Sequence, residues 1–382
     1  MGFATDVFVI GGGPAGLAAA IATRRKGLRV MVADGARPPI DKACGEGLLP
    51  DALASIRSLG VNLEESDGYA FRGLRFLDKR TSVKADFPHG HGLGVRRKVL
   101  HQRMMERALD CGVSLLWGAP VTGLFSGGVR LGGAEVAARW IVGADGCHSL
   151  VRRWSGLEAH RQLDRRFAYR RHYRLSPWTE YTEVYWGEEI QAYVTPVSEE
   201  EVCVAVISRL PSDRLEYVLR EFPELALHIE SAAPTGTERG AVTAMHRLRR
   251  VYRGNVALIG DASGSVDAIT GEGLCLSFRQ AVALAEALEA EDLRGYQQSH
   301  RCLFKRPSLM ANMMLMLDRR SSVRQHAMRA LATNPEAFAR ILAVHVGAAS
   351  TQQLVVTCAL LGWQLLSAVG LFLGSRRSSS HL

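Results

Sequence analysis

Three glycines and one aspartate near the start of the chain have the types and spacing that bind a dinucleotide. Gly11, Gly13 and Gly16 follow a short apolar run, and Asp34 ends a second apolar run. Gly11 permits a tight turn, Gly13 leaves room for a pyrophosphate at the backbone, and Gly16 lets a helix pack closely on the strand. The N-terminus of that helix would offer free N–H groups to the phosphates. A carboxylate at Asp34 can bind both hydroxyls of an adenosine ribose.

Two later segments end an apolar strand at the same kind of turn. The first ends at Asp145-Gly146 and the second at Gly260-Asp261. The carboxyl ends of neighbouring strands in a doubly wound sheet meet at one crevice, where ligands bind. Three such turns in one chain therefore predict a long ligand, such as a dinucleotide with a large head group.

Two further glycines stand at the start of a long predicted helix. Gly271 and Gly273 stand at the beginning of an apolar-periodic segment over roughly 273–290. The glycines would let the backbone approach a ring closely, and the helix N-terminus would stabilise negative charge on a reduced ring. This pattern would suit a flavin ring lying against residues 271–273, with a flexible loop before a surface helix as the alternative.

The order of the predicted strands and helices that carry these residues indicates an α/β fold. Residues 6–34 have the order strand, helix, strand, as expected for the first unit of a parallel sheet. Residues from about 165 to 210 are β-rich with a period of two, which predicts a separate antiparallel sheet inserted into the nucleotide domain.

Composition and charge narrow the function classes. The 382 residues are 47% apolar and 22% charged, and the net charge is +9. No nucleic-acid-binding motif accompanies the charge, so a nucleic-acid partner is not expected. The seven cysteines are scattered without metal-ligand spacing, so we predict no metal site and free thiols in a reducing cytoplasm. The first strand begins too early to leave room for a signal peptide.

The C-terminal segment is the most apolar part of the chain. Residues 354–373 form an apolar run that is followed by Arg376-Arg377. Its length would suffice for a bilayer span, but a span would export the two arginines against the positive-inside tendency. We favour a helical hairpin or in-plane helix that covers an apolar channel and touches the inner face of the membrane, with a true span and a buried helix as alternatives. The segment predicts a small lipophilic substrate.

Three motifs together resemble a flavoprotein superfamily. The Gly11–Gly16 fingerprint is followed, in matching order and spacing, by ADGCHSLVR and by GNVALIGDASG with TGEG. The chain resembles the superfamily that contains FAD-dependent aromatic hydroxylases (the p-hydroxybenzoate hydroxylase-like monooxygenases), geranylgeranyl reductases and flavin-dependent halogenases. This resemblance implies a Rossmann-type FAD-binding domain interleaved with a mostly antiparallel β substrate domain, and a C-terminal helical region follows them.

The resemblance also implies boundaries and cofactor contacts. The FAD-binding domain would comprise 1–70, 93–160 and 246–295, the substrate domain 71–92 and 161–245, and the C-terminal helical region 296–382. The implied FAD contacts, some of them shared with a nicotinamide nucleotide, are Gly11, Gly13, Pro14, Ala15, Gly16, Asp34, Arg97, Asp145, Gly146, Ser149, Arg152, Gly260, Asp261, Gly271 and Gly273. Ala268 stands where many members have proline.

Two chemistries remain open within the superfamily, since the tryptophan motif of the halogenases is missing. Residues 42–50 resemble the Cys-Gly-x-Gly-Leu-x-Pro loop of geranylgeranyl reductases, while only Tyr193 and Pro196 match a second reductase motif. Because that signature is half present, we favour an NAD(P)H-dependent flavin monooxygenase that hydroxylates a lipophilic aromatic or quinone-type substrate through a flavin C4a-hydroperoxide. A reductase of isoprenoid double bonds is the alternative.

A non-catalytic FAD-binding redox module is a second alternative, which the intact second motif disfavours. No catalytic residue can be assigned from the sequence. The pocket candidates are Cys44, Glu46, Trp186 and Tyr193. Aromatic side chains line many sheets and an isolated thiol is often inert, so each also has a structural interpretation. The oligomeric state is not predicted.

Overall fold

The computed structural model describes residues 4–79, 81–158, 162–211, 215–357 and 359. The strands are β1 (Thr5–Ile10), β2 (Val30–Asp34), β3 (Gly47–Leu48), β4 (Tyr69–Phe71), β5 (Gly73–Asp78), β6 (Thr81–Asp86), β7 (Gly92–Gly94), β8 (Ser114–Trp117), β9 (Val121–Phe125), β10 (Gly128–Leu131), β11 (Ala134–Gly143), β12 (Gln162–Arg174), β13 (Tyr181–Trp186), β14 (Ile190–Ser198), β15 (Glu201–Ser208), β16 (Ala233–Arg247), β17 (Tyr252–Arg253), β18 (Val256–Leu258) and β19 (Gly264–Ser265).

The α-helices are α1 (Pro14–Arg25), α2 (Pro50–Ser58), α3 (Arg97–Asp110), α4 (Leu150–Trp154), α5 (Leu215–Val218), α6 (Pro223–Ile229), α7 (Gly273–Glu289), α8 (Leu293–Leu303), α9 (Lys305–Arg319), α10 (Ser321–Thr333) and α11 (Pro335–His345). Residues 351–357 are also helical.

The first sheet is the parallel sheet that the sequence predicts. Its order is β17-β18-β11-β1-β2-β8, and β1, β2, β8, β11 and β18 run parallel. Its central strand carries Val7, Phe8 and Val9, all fully buried, because helices and neighbouring strands cover both faces. The carboxyl ends of β1, β11 and β18 therefore lie side by side, and each leads into one of the three glycine-rich or Gly/Asp turns.

Helices α1 and α7 pack against this sheet through small side chains. Ala18, Ala19 and Ala20 of α1 are fully buried in the same apolar cluster as Phe278 of α7. A side chain at Gly16 would put its Cβ 1.8 Å from the carbonyl oxygen of Gly11, so only glycine permits this approach of helix to loop. The third glycine of the fingerprint thus serves packing, as its spacing predicts.

The second sheet is mostly antiparallel. Its order is β19-β16-β12-β15-β14-β13-β5-β6, in which only the β13–β5 pair is parallel. A small three-stranded sheet, β3-β7-β4, lies next to it. The predicted fold class is confirmed, because a parallel Rossmann-like sheet, a separate antiparallel sheet and helices are all present.

The C-terminal helices divide between the two sheets. Leu293 and Tyr296 of α8 join the apolar cluster of the nucleotide domain. In contrast, α9, α10 and α11 pack on the second sheet, where Phe338 lies 4.9 Å from Phe76 between ring centroids and Trp186 lies 5.8 Å from Phe76. The C-terminal helical region is thereby placed over the face of the sheet that borders the cavity described below.

No helix within the described part of the chain combines the length and the apolar character needed to cross a bilayer. The predicted apolar segment 354–373 lies mostly outside the described residues. Its described beginning is helical, and Leu354 packs against Met310 and Val344.

Candidate cofactor and substrate site

One cavity of about 1120 Å³ runs from the carboxyl ends of the parallel strands to helices α9–α11. At one end its wall contains Gly11, Gly13 and Asp34, and at the other it contains Phe338 and Leu342. The cavity is large enough for a dinucleotide and part of a second molecule, as expected where two domains meet.

The glycine loop forms an open cradle at the first end. A Cβ at Gly11 would lie 2.5 Å from the carbonyl oxygen of Ala144, and its φ is +110°, so only glycine suits this turn. In contrast, no atom lies within 4 Å of a Cβ built on Gly13, because that position faces the cavity. Pro14 and Ala15, which begin α1, also line the wall, so the helix N-terminus points at the space that a pyrophosphate would fill.

The Asp34 carboxylate is fixed by the loop. It accepts hydrogen bonds from the N–H of Gly12 at 2.7 Å and from the N–H of Ala36 at 2.8 Å. Nε2 of His101 on α3 lies 2.9 Å from the carbonyl oxygen of Gly12, and burial lowers the pKa of His101. A neutral His101 can donate this bond and hold the loop. His101 was not predicted from the sequence, where its position on the inner face of α3 is the signal that could have indicated it.

The polar side chains of the turn after β11 make hydrogen bonds mainly within that turn. The Asp145 carboxylate accepts bonds from the Ser149 hydroxyl at 2.5 Å and from the N–H of Leu150 at 2.7 Å. Arg152 donates to the carbonyl oxygens of Cys147 and Ala262, at 2.7 and 3.1 Å. Asp145 and Gly146 line the cavity, whereas Ser149 and Arg152 are not among the residues that line it. Ser149 thus fixes its own turn, and Arg152 fastens that turn to the one that contains Ala262; their contact with FAD stays a prediction.

Two cationic side chains stand beside the cavity where anionic oxygens would lie. Arg97 opens α3, and its Nε is buried without a hydrogen-bond partner in the described chain. Lys42 Nζ lies 3.2 Å from Asp261 Oδ2, and the charge of Asp261 raises the pKa of Lys42. Lys42 was not predicted as a site residue. An unpartnered buried donor is costly unless a ligand satisfies it, so Arg97 fits a bound anion.

The glycines that precede α7 line the end of the cavity where a flavin ring would lie. Gly271 and Gly273 both line it, and no atom lies within 4 Å of a Cβ built on either one. Gly260 is not among the lining residues; its N–H donates to Gln280 Oε1 at 2.8 Å, and it holds the turn that presents Asp261. The cradle, the unpartnered Arg97 and this open glycine backbone together fit an extended FAD.

Glu46 is held in a buried ionic network. Its Oε1 accepts from the N–H of Arg97 at 2.9 Å, and its Oε2 lies 2.6 Å from His172 Nε2. His172 Nδ1 faces the guanidinium groups of Arg96 and Arg170, at 3.3 and 3.0 Å. Since guanidinium groups only donate, Nδ1 must accept and the Nε2–H must donate to Glu46. Glu46 therefore positions the loop, although part of it borders the cavity.

Cys44 lies in the same loop and lines the cavity. Its sulfur accepts a hydrogen bond from the N–H of Glu46, at 3.4 Å. Behind it, Cys203 is fully buried, and burial raises the pKa of its thiol well above the usual value. Ligand atoms of Glu46, His172 and Cys203 lie within 4.8 Å of one another, but the two guanidinium groups at His172 disfavour a cation there.

The far end of the cavity is apolar. Its aromatic and methionine lining comprises Phe71, Phe76, Trp186, Tyr193, Met310, Met313, Met314, Met316, Met328 and Phe338. Of the two aromatic candidates, Tyr193 donates its hydroxyl to the carbonyl oxygen of Ile269 at 3.1 Å, and Trp186 has Arg324 over its ring at 5.9 Å. The methionines of α9 were not predicted from the sequence, although the spacing of Met310, Met313 and Met314 places these three on one helical face.

Comparisons with known proteins agree with this geometry. Residues 4–302 match the family described as FAD binding domain. The menaquinone reductase of Mycobacterium tuberculosis is 32% identical over 317 residues, which cover 75% of this chain and 77% of that protein. Digeranylgeranylglycerophospholipid reductase 1 of Methanopyrus kandleri is 28% identical, with 76% and 84% covered. Aurachin C monooxygenase/isomerase of Stigmatella aurantiaca is 26% identical, with 75% and 81% covered.

Among solved structures, a flavoprotein/dehydrogenase from Cytophaga hutchinsonii superposes with a TM-score of 0.79 at 18% identity, over 90% of this chain and 92% of that one. At this identity the likeness concerns the fold.

Proposed function

This chain belongs to the FAD-binding-domain family and is an FAD-dependent oxidoreductase, and from that premise we propose that it reduces a carbon–carbon double bond in the isoprenoid chain of a lipophilic quinone. The observation that carries the proposal is the single cavity that joins the dinucleotide cradle to an apolar compartment lined by five methionines and several aromatic rings. Unbranched, polarizable methionine side chains adapt to a long and irregular apolar chain.

The Cys44 loop supports reduction over hydroxylation. Residues 42–50 resemble the reductase loop, and Lys42, Cys44, Gly45 and Gly47 all border the cavity between its two ends. The sequence favoured hydroxylation because half of the reductase signature is missing. The position of this loop, together with the similarity to two proteins named as reductases of isoprenoid compounds, moves our preference to reduction.

The protein's own part in such a reaction is to bind, orient and exclude water. FAD, when bound, supplies the two-electron redox chemistry. Gly13 and the N-terminus of α1 would receive its pyrophosphate, Arg97 and Lys42 would stand beside its anionic oxygens, and Gly271 would lie against its ring. The apolar compartment would align the substrate chain with that ring and keep water out.

Hydroxylation of a quinone-type ring remains a second candidate. The similarity to a monooxygenase of another lipophilic compound covers about the same share of the chain as the reductase similarity. Arg324 and Thr182 bring polar groups into the apolar compartment, where they could bind a ring oxygen. The non-catalytic alternative is set aside, because the relatives are named as enzymes.

The electron donor and the place where the enzyme works also belong to the proposed function. We propose NADH or NADPH as the electron donor, as the resemblance implies. We also propose that the enzyme works at the inner face of a membrane, where its lipophilic substrate would be concentrated. Leu309, Val355 and Val356 support this, because they are large apolar side chains exposed to solvent.

Anaerobic mixing separates reduction from hydroxylation. The holoenzyme is reduced without O₂ and mixed with a short-chain menaquinone, and the product is extracted before O₂ is admitted. Because a reduced flavin can also reduce the quinone ring, the extract is reoxidised in air before its mass is measured. A reductase of the side chain leaves two added hydrogens after this step. A monooxygenase returns the starting menaquinone and adds oxygen only when O₂ is present during turnover, and that result would favour the second candidate.

A further inference from the structure

A histidine and a glutamate face each other at the ring end of the cavity. His345 ends α11 and lines the cavity, and Glu272 stands between Gly271 and Gly273. The Nδ1 atom of His345 lies 3.5 Å from Oε2 of Glu272. Both residues are buried, with 7% and 1% of their surfaces exposed. The C-terminal helices thus bring a titratable group to the glycines that would lie against the flavin ring.

The two nitrogens of His345 have different surroundings. Neither Nδ1 of His345 nor Oε2 of Glu272 makes a hydrogen bond in the described chain, and at 3.5 Å each is the polar atom that the other could pair with. Unlike Nδ1, the Nε2 atom of His345 is not fully buried, and it makes no hydrogen bond to a described residue. Because His345 borders the cavity, Nε2 is the nitrogen that is open to it. An imidazole held by a carboxylate on one side and open on the other can transfer protons.

Two arginines and an aspartate form an ionic network beside His345 and Glu272. Arg306 donates to Glu272 Oε1 at 3.2 Å and to Asp51 at 2.9 Å, and Arg279 donates to Asp51 at 3.2 Å. Burial raises the pKa of Glu272, and the nearby charges of His345 and Arg306 oppose that rise. Asp51 and Arg279 also line a second, surface cleft. The ionic network therefore extends from solvent to the cavity wall.

We propose that His345 is a catalytic residue that donates a proton to the substrate at this end of the cavity, and that Glu272 positions its imidazole. The inference rests on the proposed reduction. Saturating a double bond adds two electrons and two protons: reduced FAD would supply the electron pair together with one proton, and the imidazolium form of His345 would give the other proton from Nε2. As two C–H bonds form, the π bond of the alkene and the Nε2–H bond of His345 break, and the neutral imidazole regains its proton from solvent.

The first test is the rate of a single turnover. Reduced holoenzyme is mixed anaerobically with a short-chain menaquinone, and the saturated product is measured across pH. General acid catalysis of this kind contributes about 10²–10⁴-fold, so we expect His345→Gln to lose at least about a hundredfold in rate and to flatten the pH profile. His326→Gln, an exposed histidine of α10, is the matched control and should leave both unchanged. A His345→Gln enzyme with the wild-type rate and profile would overturn the proposal.

The second test does not depend on turnover. With Nδ1 facing Glu272, neutral His345 should carry its proton on Nδ1, and nitrogen NMR of the oxidised holoenzyme distinguishes the two tautomers. The resonance lost in His345→Gln should show the Nδ1–H form, and Glu272→Gln should remove that preference while FAD content is retained. An Nε2–H form in the wild type would refute the pairing. If the wild type saturates no menaquinone but shows the Nδ1–H form, the proposed function fails and the pairing stands.

Discussion

At the scale of single residues, Gly13 is the position where FAD binding and folding can be separated. Its Cβ would meet no protein atom within 4 Å, so alanine there should fold normally and place a methyl group where a pyrophosphate approaches. We expect Gly13→Ala to weaken FAD binding at least about tenfold, which corresponds to about 1.4 kcal/mol. Fluorescence titration of the apoprotein with FAD measures this.

The control for this prediction is Gly123→Ala. Gly123 is also free of neighbours within 4 Å, but it lies in β9 and does not line the cavity. Both variants should unfold at the same denaturant concentration as the wild-type apoprotein. Equal FAD affinity in Gly13→Ala and Gly123→Ala would show that the loop does not hold the pyrophosphate.

The sequence predicts some site residues and misses others for a physical reason. Gly13 and Asp34 belong to a local motif in which strand, turn and helix are consecutive, so their spacing alone indicates their positions. His345 and Glu272 are far apart in the chain and meet only because α11 folds back over the second sheet. The periodicity of a sequence does not indicate which distant residues come into contact. Glu46 lies in a recognisable motif, but the motif does not show that its carboxylate is hydrogen-bonded to His172.

At the scale of elements, the contact between α8 and the turn after β18 should make stability depend on pH. His300 of α8 lies 2.9 Å from the Ser263 hydroxyl, and burial, with a smaller effect of Arg301, lowers the pKa of His300 from 6.5 to about 4. The unfolded chain therefore binds a proton at this site more readily than the folded chain between those values. Stability contributed here is present above pH 6.5 and is lost as the pH falls towards 4.

The titration of His300 should lower the free energy of unfolding by about 1–2 kcal/mol when the pH falls from 7 to 5. Urea unfolding of the holoenzyme at both pH values measures the difference, and His300→Gln should show a smaller one because glutamine does not titrate. If the wild type and His300→Gln lost the same free energy between pH 7 and pH 5, the lowered pKa of His300 would be refuted.

At the scale of the whole molecule, an exposed apolar surface lies beside the apolar end of the cavity. Leu309 of α9 and Val355 and Val356 of the helix over 351–357 are exposed, and Leu354 packs that helix against α9 and α11, so we propose that the three side chains belong to this surface. The net charge of +9 would favour an anionic bilayer. We expect the triple variant Leu309→Asp, Val355→Asp, Val356→Asp to float with anionic vesicles several times less than the wild type.

The matched control is the triple variant Leu210→Asp, Tyr217→Asp, Leu227→Asp, which adds the same three charges at other exposed apolar side chains. It should float like the wild type. Equal loss of flotation in both variants would indicate a general charge effect and would contradict a specific membrane-facing surface.

The central claim is that the cavity aligns an isoprenoid chain with the FAD ring for reduction, and the mass of the product tests it most directly. Anaerobic turnover of a short-chain menaquinone is followed by exposure to air, which restores any reduced quinone ring but leaves a saturated chain unchanged. We predict a product that retains two additional hydrogens in its side chain after reoxidation. Recovery of the starting menaquinone, or of a product that contains one more oxygen, would contradict the claim.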